Sequence, residues 1–137
     1  MNSTDPIGRT PLSYAAGIKE WWSSPKVCKQ LLEKGANVNS TDSTGRTPLS
    51  YAAEAGTPNT CELLLGKGAN VNSTDSTGRI PLSYAAEAGM PNTCELLLEK
   101  GANVNSTDST GRTPLSYATA VGHGDVFKLL KTKGAIN

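Results

Sequence analysis

Nowhere does this 137-residue chain hold an apolar run approaching the roughly 18 residues of a membrane-spanning helix. Histidine occurs once, at His123, and phenylalanine once, at Phe127. The three cysteines, Cys28, Cys61 and Cys94, form no Cys-x-x-Cys pair. A zinc site needs about four ligands clustered in space, so no metal site is expected. Charge of one sign is also missing: 13 Lys and Arg stand against 12 Asp and Glu, for a net charge of +1. Nothing global recruits nucleic acid or an anionic membrane. The N-terminus, Met1-Asn2-Ser3-Thr4-Asp5, is polar and lacks the apolar stretch of a signal peptide. An intracellular protein, cytoplasmic or nuclear, is expected, with its four Asn-Ser-Thr sequons unglycosylated. No Gly-x-x-x-x-Gly-Lys-Ser/Thr loop occurs. No nucleophile is paired with a base. The chain is therefore read as a non-enzyme without a cofactor.

What the sequence has instead is repetition. Residues 39–71 and 72–104 are 33-residue units that differ at three places, Thr47/Ile80, Thr57/Met90 and Gly66/Glu99. The phrase Gly-Arg-Thr-Pro-Leu-Ser-Tyr-Ala starts at Gly8, Gly45, Gly78 (with Ile80 for Thr) and Gly111, at spacings of 37, 33 and 33. The array is one domain, 1–137, of four units: 2–38, 39–71, 72–104 and 105–137. The four extra residues of the first unit fall within 17–24.

Each unit reads as turn, helix, turn, helix. In the second, Asp42-Ser43-Thr44-Gly45 is a turn, with Gly45 free to take positive φ. Thr47 caps a short helix and Pro48 opens it, where a missing N–H is harmless. Leu49, Ala52 and Ala53 share one face, and Gly56 ends the helix. Thr57-Pro58 repeats the start. Cys61, Leu64 and Leu65 follow at helical spacing, and Gly68 stops the second helix from the C′ position. One such unit cannot bury its own apolar face, so the units must stack.

These residues resemble the ankyrin repeat over nearly the whole chain: Asp-x-x-Gly-Arg-Thr-Pro-Leu-x-x-Ala-Ala, then Gly, then Leu-Leu-x-x-Gly-Ala-x-Val-Asn. The resemblance implies an all-α solenoid of four helix-turn-helix units with short finger loops. It implies a protein–protein interaction module that holds a partner on its concave face. The family usually has His after Thr-Pro-Leu. Here Ser13, Ser50, Ser83 and Ser116 stand there, so its buried Thr–His bonding is replaced by a Ser hydroxyl. The Leu-Ser-Tyr-Ala-Ala variant is similar to ankyrin arrays of fungal NACHT-type receptors. That likeness implies a second possibility: a regulatory sensor segment of a larger nucleotide-driven receptor.

Both ends of the array carry polar substitutions. Gln30 stands where later units have Leu63, Leu96 and Leu129; Lys131 stands where earlier ones have Leu32, Leu65 and Leu98. Both are expected to face open ends. Between them lie the candidate partner-binding residues. Arg46, Arg79 and Arg112, with Arg9, recur beside the turns. They either meet an acidic partner surface, or pair with Asp5, Asp42, Asp75 and Asp108 in their own turns or simply solvate those turns; the structural reading takes precedence because exposed ion pairs prove little. Ser43, Thr44, Ser76, Thr77, Ser109 and Thr110 tip the turns. Glu54 and Glu87 end the inner helices. By the resemblance, all of these line the concave face. Trp21 and Trp22, both in the insertion, either cap the first unit or contact a partner. The cysteines, with Phe127 in the same slot, are expected in the core. Asn39, Asn72 and Asn105 are expected to tie adjacent turns together, and His123 to cap the last helix. The expected partner is a protein, neither nucleic acid nor membrane, bound by a monomer.

Overall fold

The computed structural model describes residues 4, 6, 8–12 and 25–136. Trp21 and Trp22 lie outside them, as do residues 13–20. Among the described residues there are seven helices and no strands. They are α1 Pro25–Glu33, α2 Pro48–Ala55, α3 Pro58–Gly66, α4 Pro81–Ala88, α5 Pro91–Glu99, α6 Pro114–Val121 and α7 Gly124–Thr132. The first helices stack in the order α2, α4, α6, and the second helices in the order α1, α3, α5, α7. Within units, α2 packs on α3, α4 on α5 and α6 on α7.

The local chemistry follows the sequence. Thr47 sits in extended backbone before α2, and its hydroxyl accepts from the Ser50 N–H at 3.3 Å. Ser50 Oγ donates to the Thr47 carbonyl at 3.1 Å, so the serine closes the helix start where the family has histidine. Gly56 ends α2 in the left-handed region at φ 69°, its N–H reaching the Ala52 and Ala53 carbonyls. Thr57 departs from expectation. It stands at the N-cap of α3, but its hydroxyl donates to the Ala52 carbonyl at 3.2 Å and caps nothing. Met90 occupies the same position in the next unit, so a hydroxyl is dispensable there.

Small side chains let the first helices approach closely, and Leu49, Ala52, Ala53, Leu82, Ala85 and Ala86 are fully buried between them. Cys28, Cys61 and Cys94 are fully buried and unpaired. Burial pushes the Cys28 thiol up to about 11 and those of Cys61 and Cys94 up to about 12. They are inert packing groups. Phe127 holds the same slot but is 38% exposed. That side of the helix is covered by the following unit in the earlier repeats, so the expectation of a core phenylalanine is corrected.

Two backbone ladders fix the register between units. The Ser76 N–H donates to the Thr44 carbonyl at 2.9 Å, and the Ser109 N–H to the Thr77 carbonyl at 2.9 Å. Gly45, at φ 79°, lets those turns meet: a Cβ there would stand 2.9 Å from the Ser76 nitrogen. On the other edge, the Asn39 amide donates to the Gly68 carbonyl and its oxygen accepts the Asn70 N–H; Asn72 and Asn105 repeat the pattern. The asparagines thus clasp successive turns, as expected.

Gln30 and Lys131 are exposed, while Leu63, Leu96, Leu129, Leu32, Leu65 and Leu98 are partly buried against the core. Thr119, in the place of the buried Ala53 and Ala86, is also exposed, and its hydroxyl is turned onto the Leu115 carbonyl at 2.8 Å. Gln30→Leu and Lys131→Leu should therefore change stability by no more than about 0.5 kcal/mol yet raise light scattering at high concentration. A large drop in melting temperature without scattering would mean that these sites are buried.

Candidate partner-binding face

The turns and the first helices form one continuous side of the stack, with a repeating constellation on it. Arg46 directly precedes the N-cap of α2, and Tyr51 lies in the helix's first turn. These are the positions that pack across a helix start in a hydrophobic staple. Here the staple is a cation over a ring: the Arg46 guanidinium carbon is 4.0 Å from the Tyr51 ring centre. Its other face is covered by Tyr84 of the next unit at 3.8 Å. Arg79 lies in the same way between Tyr84 at 3.9 Å and Tyr117 at 4.0 Å. The result is an alternating pile of rings and guanidinium planes across three units, an arrangement electrostatics favours.

Carboxylates meet the edges of two of the guanidinium groups, though the buried Arg79 Nε has no hydrogen-bond partner among the described residues. Arg46 Nη2 lies 3.2 Å from Glu54 Oε1, and Arg79 Nη2 lies 3.0 Å from Glu87 Oε1. Arg46 Nε donates to Ser50 Oγ at 3.0 Å. The expected pairing of each arginine side chain with the aspartate of its own turn is thus corrected for Arg46 and Arg79: their guanidinium groups go to Glu54 and Glu87.

The reason lies in the aspartates, which are already full. Asp42 Oδ1 accepts the Thr44 N–H, the Thr44 hydroxyl and the Arg46 N–H at 2.6–3.0 Å, and Oδ2 accepts the Tyr51 hydroxyl. Asp75 with Tyr84 and Asp108 with Tyr117 repeat this. Burial alone would raise these carboxyls, but the hydrogen bonds together outweigh it and hold all three below the ordinary carboxylate range. Burial, then the bond to Asp42, pushes the Tyr51 phenol up to about 12; Tyr84 and Tyr117 are raised for the same reasons.

The pH dependence follows. A carboxyl lowered by folding stabilises above its unfolded pKa of about 3.9 and loses that contribution as pH falls toward its folded value. A phenol raised by folding stabilises below its unfolded pKa of about 10 and loses that contribution as pH rises toward its folded value. Urea midpoints should therefore be flat between these limits and fall on both sides. Phenolate absorbance should rise late, toward about 12 for Tyr51. Ordinary phenol titration in the folded array would contradict the Tyr–Asp bonds.

A family model described as ankyrin repeats (3 copies) matches residues 1–75 and again residues 57–137. The chain belongs to the ankyrin-repeat family. No curated protein matches it. Ankyrin repeats are generally protein–protein interaction modules and typically non-catalytic.

On this ankyrin array Ser43, Thr44, Ser76, Thr77, Ser109 and Thr110 are exposed at the turn tips. The three threonine hydroxyls are turned inward onto the aspartates, and the serine hydroxyls have no partner among the described residues. Glu54 and Glu87 side chains are 47% and 41% exposed, and those of Arg46 and Arg79 only 13% and 14%. His123 stands at the N-cap of α7, but its side chain makes no capping bond there. Its Nε2 reaches the Glu87 carbonyl of the preceding unit at 3.0 Å, and a Cβ on Gly89 would strike its ring. Sequence reasoning missed the tyrosines. The available signal was spacing, since each of the four follows its unit's arginine by five residues. Among the described residues no His, Cys, Asp and Glu cluster could hold a metal, and no helix is long and apolar enough to cross a membrane.

Proposed function

We propose that the chain is a non-catalytic binding module that holds one partner protein along the concave side of its turns and first helices. The supporting observation is the rigid repeating face. Backbone hydrogen bonds lock the turns to one another, and stacked Arg and Tyr side chains stiffen the surface behind them. A face ordered before binding costs little further entropy on association. Ser43, Ser76 and Ser109 contact the partner at the tips, and Glu54 and Glu87 present half-exposed carboxylates beside them. Arg46 and Arg79 offer only their outer edges; Arg112 offers its whole head. Three buried free thiols suit a reducing compartment, in keeping with a protein of the cell interior.

The test is capture of the partner from a native-cell lysate. Ser43→Arg, Ser76→Arg and Ser109→Arg combined should abolish capture, because the added side chains occupy the tips. Glu62→Lys and Glu95→Lys, on the exposed side of α3 and α5, should leave capture intact. Equal capture by both variants would move the partner off the proposed face.

A further inference from the structure

The last unit is built differently from the units before it. In the second and third units the arginine beside the turn is held three ways: by its own unit's tyrosine, by the next unit's tyrosine on its other face, and by a glutamate eight residues on. In the last unit the glutamate position is Ala120. Arg112 is exposed, its guanidinium has no carboxylate partner among the described residues, and the ring of Tyr117 is 5.8 Å away. Ser116 is exposed as well, where Ser50 and Ser83 are buried. Beside it Thr113, Leu115, Ser116, Thr119 and Ala120 line a groove of about 400 Å³. Gly111 and Gly122 have open space where the equivalent Gly78 and Gly89 receive the next unit.

We infer that Arg112, Ser116 and the groove at Ala120 form a seat for a partner segment that carries a carboxylate beside an aromatic ring. The protein supplies its own template. Twice in this chain an arginine beside a serine donates to a glutamate and is covered by a second tyrosine, and the last unit keeps Arg112 and Ser116 without that glutamate or that second ring. Charge favours the same occupant. Unit 105–137 carries Arg112, Lys128, Lys131 and Lys133 against Asp108 and Asp125, whereas unit 72–104 carries two basic residues against four acidic ones. A unit with net positive charge favours an acidic ligand, and a guanidinium plane with one face uncovered favours a ring. A second copy of this chain fits poorly. Its first unit has Pro6 where Ser76 and Ser109 give the N–H that joins one turn to the carbonyl of the turn before, and proline has no N–H to give.

The inference rests on the reading that the array binds a protein partner, and its test separates the two. The probe is the acetylated, amidated peptide Glu-Tyr-Glu, titrated into the 137-residue chain while arginine Nε–Hε and backbone amide resonances are followed by NMR. Arg112 should shift and saturate, while Arg46 and Arg79 should not move. Gln-Tyr-Gln and Glu-Leu-Glu peptides should each bind about tenfold or more weakly, through loss of the charged bonds or of the ring. Ala120→Glu restores the internal carboxylate found in the two units before it. It should fold as the parent does and weaken the Glu-Tyr-Glu response of Arg112 about tenfold or more. Equal binding of all three peptides, or full binding by Ala120→Glu, overturns the seat. Shifts confined to Ser43, Ser76 and Ser109 also overturn it while leaving the concave-face reading standing. An Arg112 shift that follows protein concentration without peptide overturns it in favour of self-association.

Discussion

Tyr84→Ala should be the most damaging single change on the turn side of the array, costing about 3–5 kcal/mol, the range for removing a buried aromatic side chain. Tyr84 is 8% exposed and has a guanidinium within 4 Å on each face, Arg46 at 3.8 Å and Arg79 at 3.9 Å. Its hydroxyl also fills an oxygen of Asp75. Truncation removes two cation–ring contacts, opens a gap between α2 and α4 and leaves a half-buried carboxylate short of a donor. Tyr84→Phe separates these effects. It keeps both stacking contacts and loses only the bond to Asp75, at a cost of about 1.5 kcal/mol, the low end for a bond to a charged group. It should also raise the Asp75 pKa toward the ordinary carboxylate value, so acid unfolding starts at higher pH. Urea denaturation of the two variants measures both. A loss below about 1 kcal/mol for Tyr84→Ala would mean a ring resting on the surface and tying nothing together.

Gly45→Ala should cost about 3 kcal/mol, although it adds a single methyl group. At φ 79° an L side chain is already strained, and the new Cβ would stand 2.9 Å from the Ser76 nitrogen, whose N–H donates to the Thr44 carbonyl. The two turns must separate, and that inter-unit bond breaks. Gly111→Ala isolates the strain, because Gly111 shares the backbone conformation at φ 81° but faces open space. It should cost only about 1–2 kcal/mol, the left-handed penalty alone. Equal losses from the two substitutions would show that the turns do not meet as closely as described.

The fold was legible because each unit states its own boundaries. Thr47-Pro48 opens a helix, Gly56 and Gly68 close two, and Leu49, Ala52, Ala53, Cys61 and Leu64 mark the buried side, all within 33 residues. The asparagine clasps were legible for the same reason. The destination of the arginines was not. Arg46 meets Tyr84 across 38 residues of sequence, and that contact exists only once the units are stacked in register. The nearby Asp42 drew the expectation of an ion pair, yet its oxygens are taken by Thr44, Tyr51 and the Arg46 backbone. The arginine therefore turns to Glu54. Phe127 shows a related limit. Its slot is core wherever a unit follows and surface where none covers it, so periodicity alone assigns it wrongly. The tryptophan pair lies outside the described residues, and both readings of it remain proposals.

The alternating Arg and Tyr pile is the centre of this account, and a double-mutant cycle tests it most directly. Arg46→Met, Tyr84→Leu and the double variant are compared by urea denaturation, with Arg112→Met and Tyr117→Leu as the matching cycle at 5.8 Å. The account predicts a coupling of about 1–2 kcal/mol for Arg46 with Tyr84 and no more than about 0.5 kcal/mol for Arg112 with Tyr117. Additive losses for Arg46 and Tyr84, within about 0.3 kcal/mol, would contradict it.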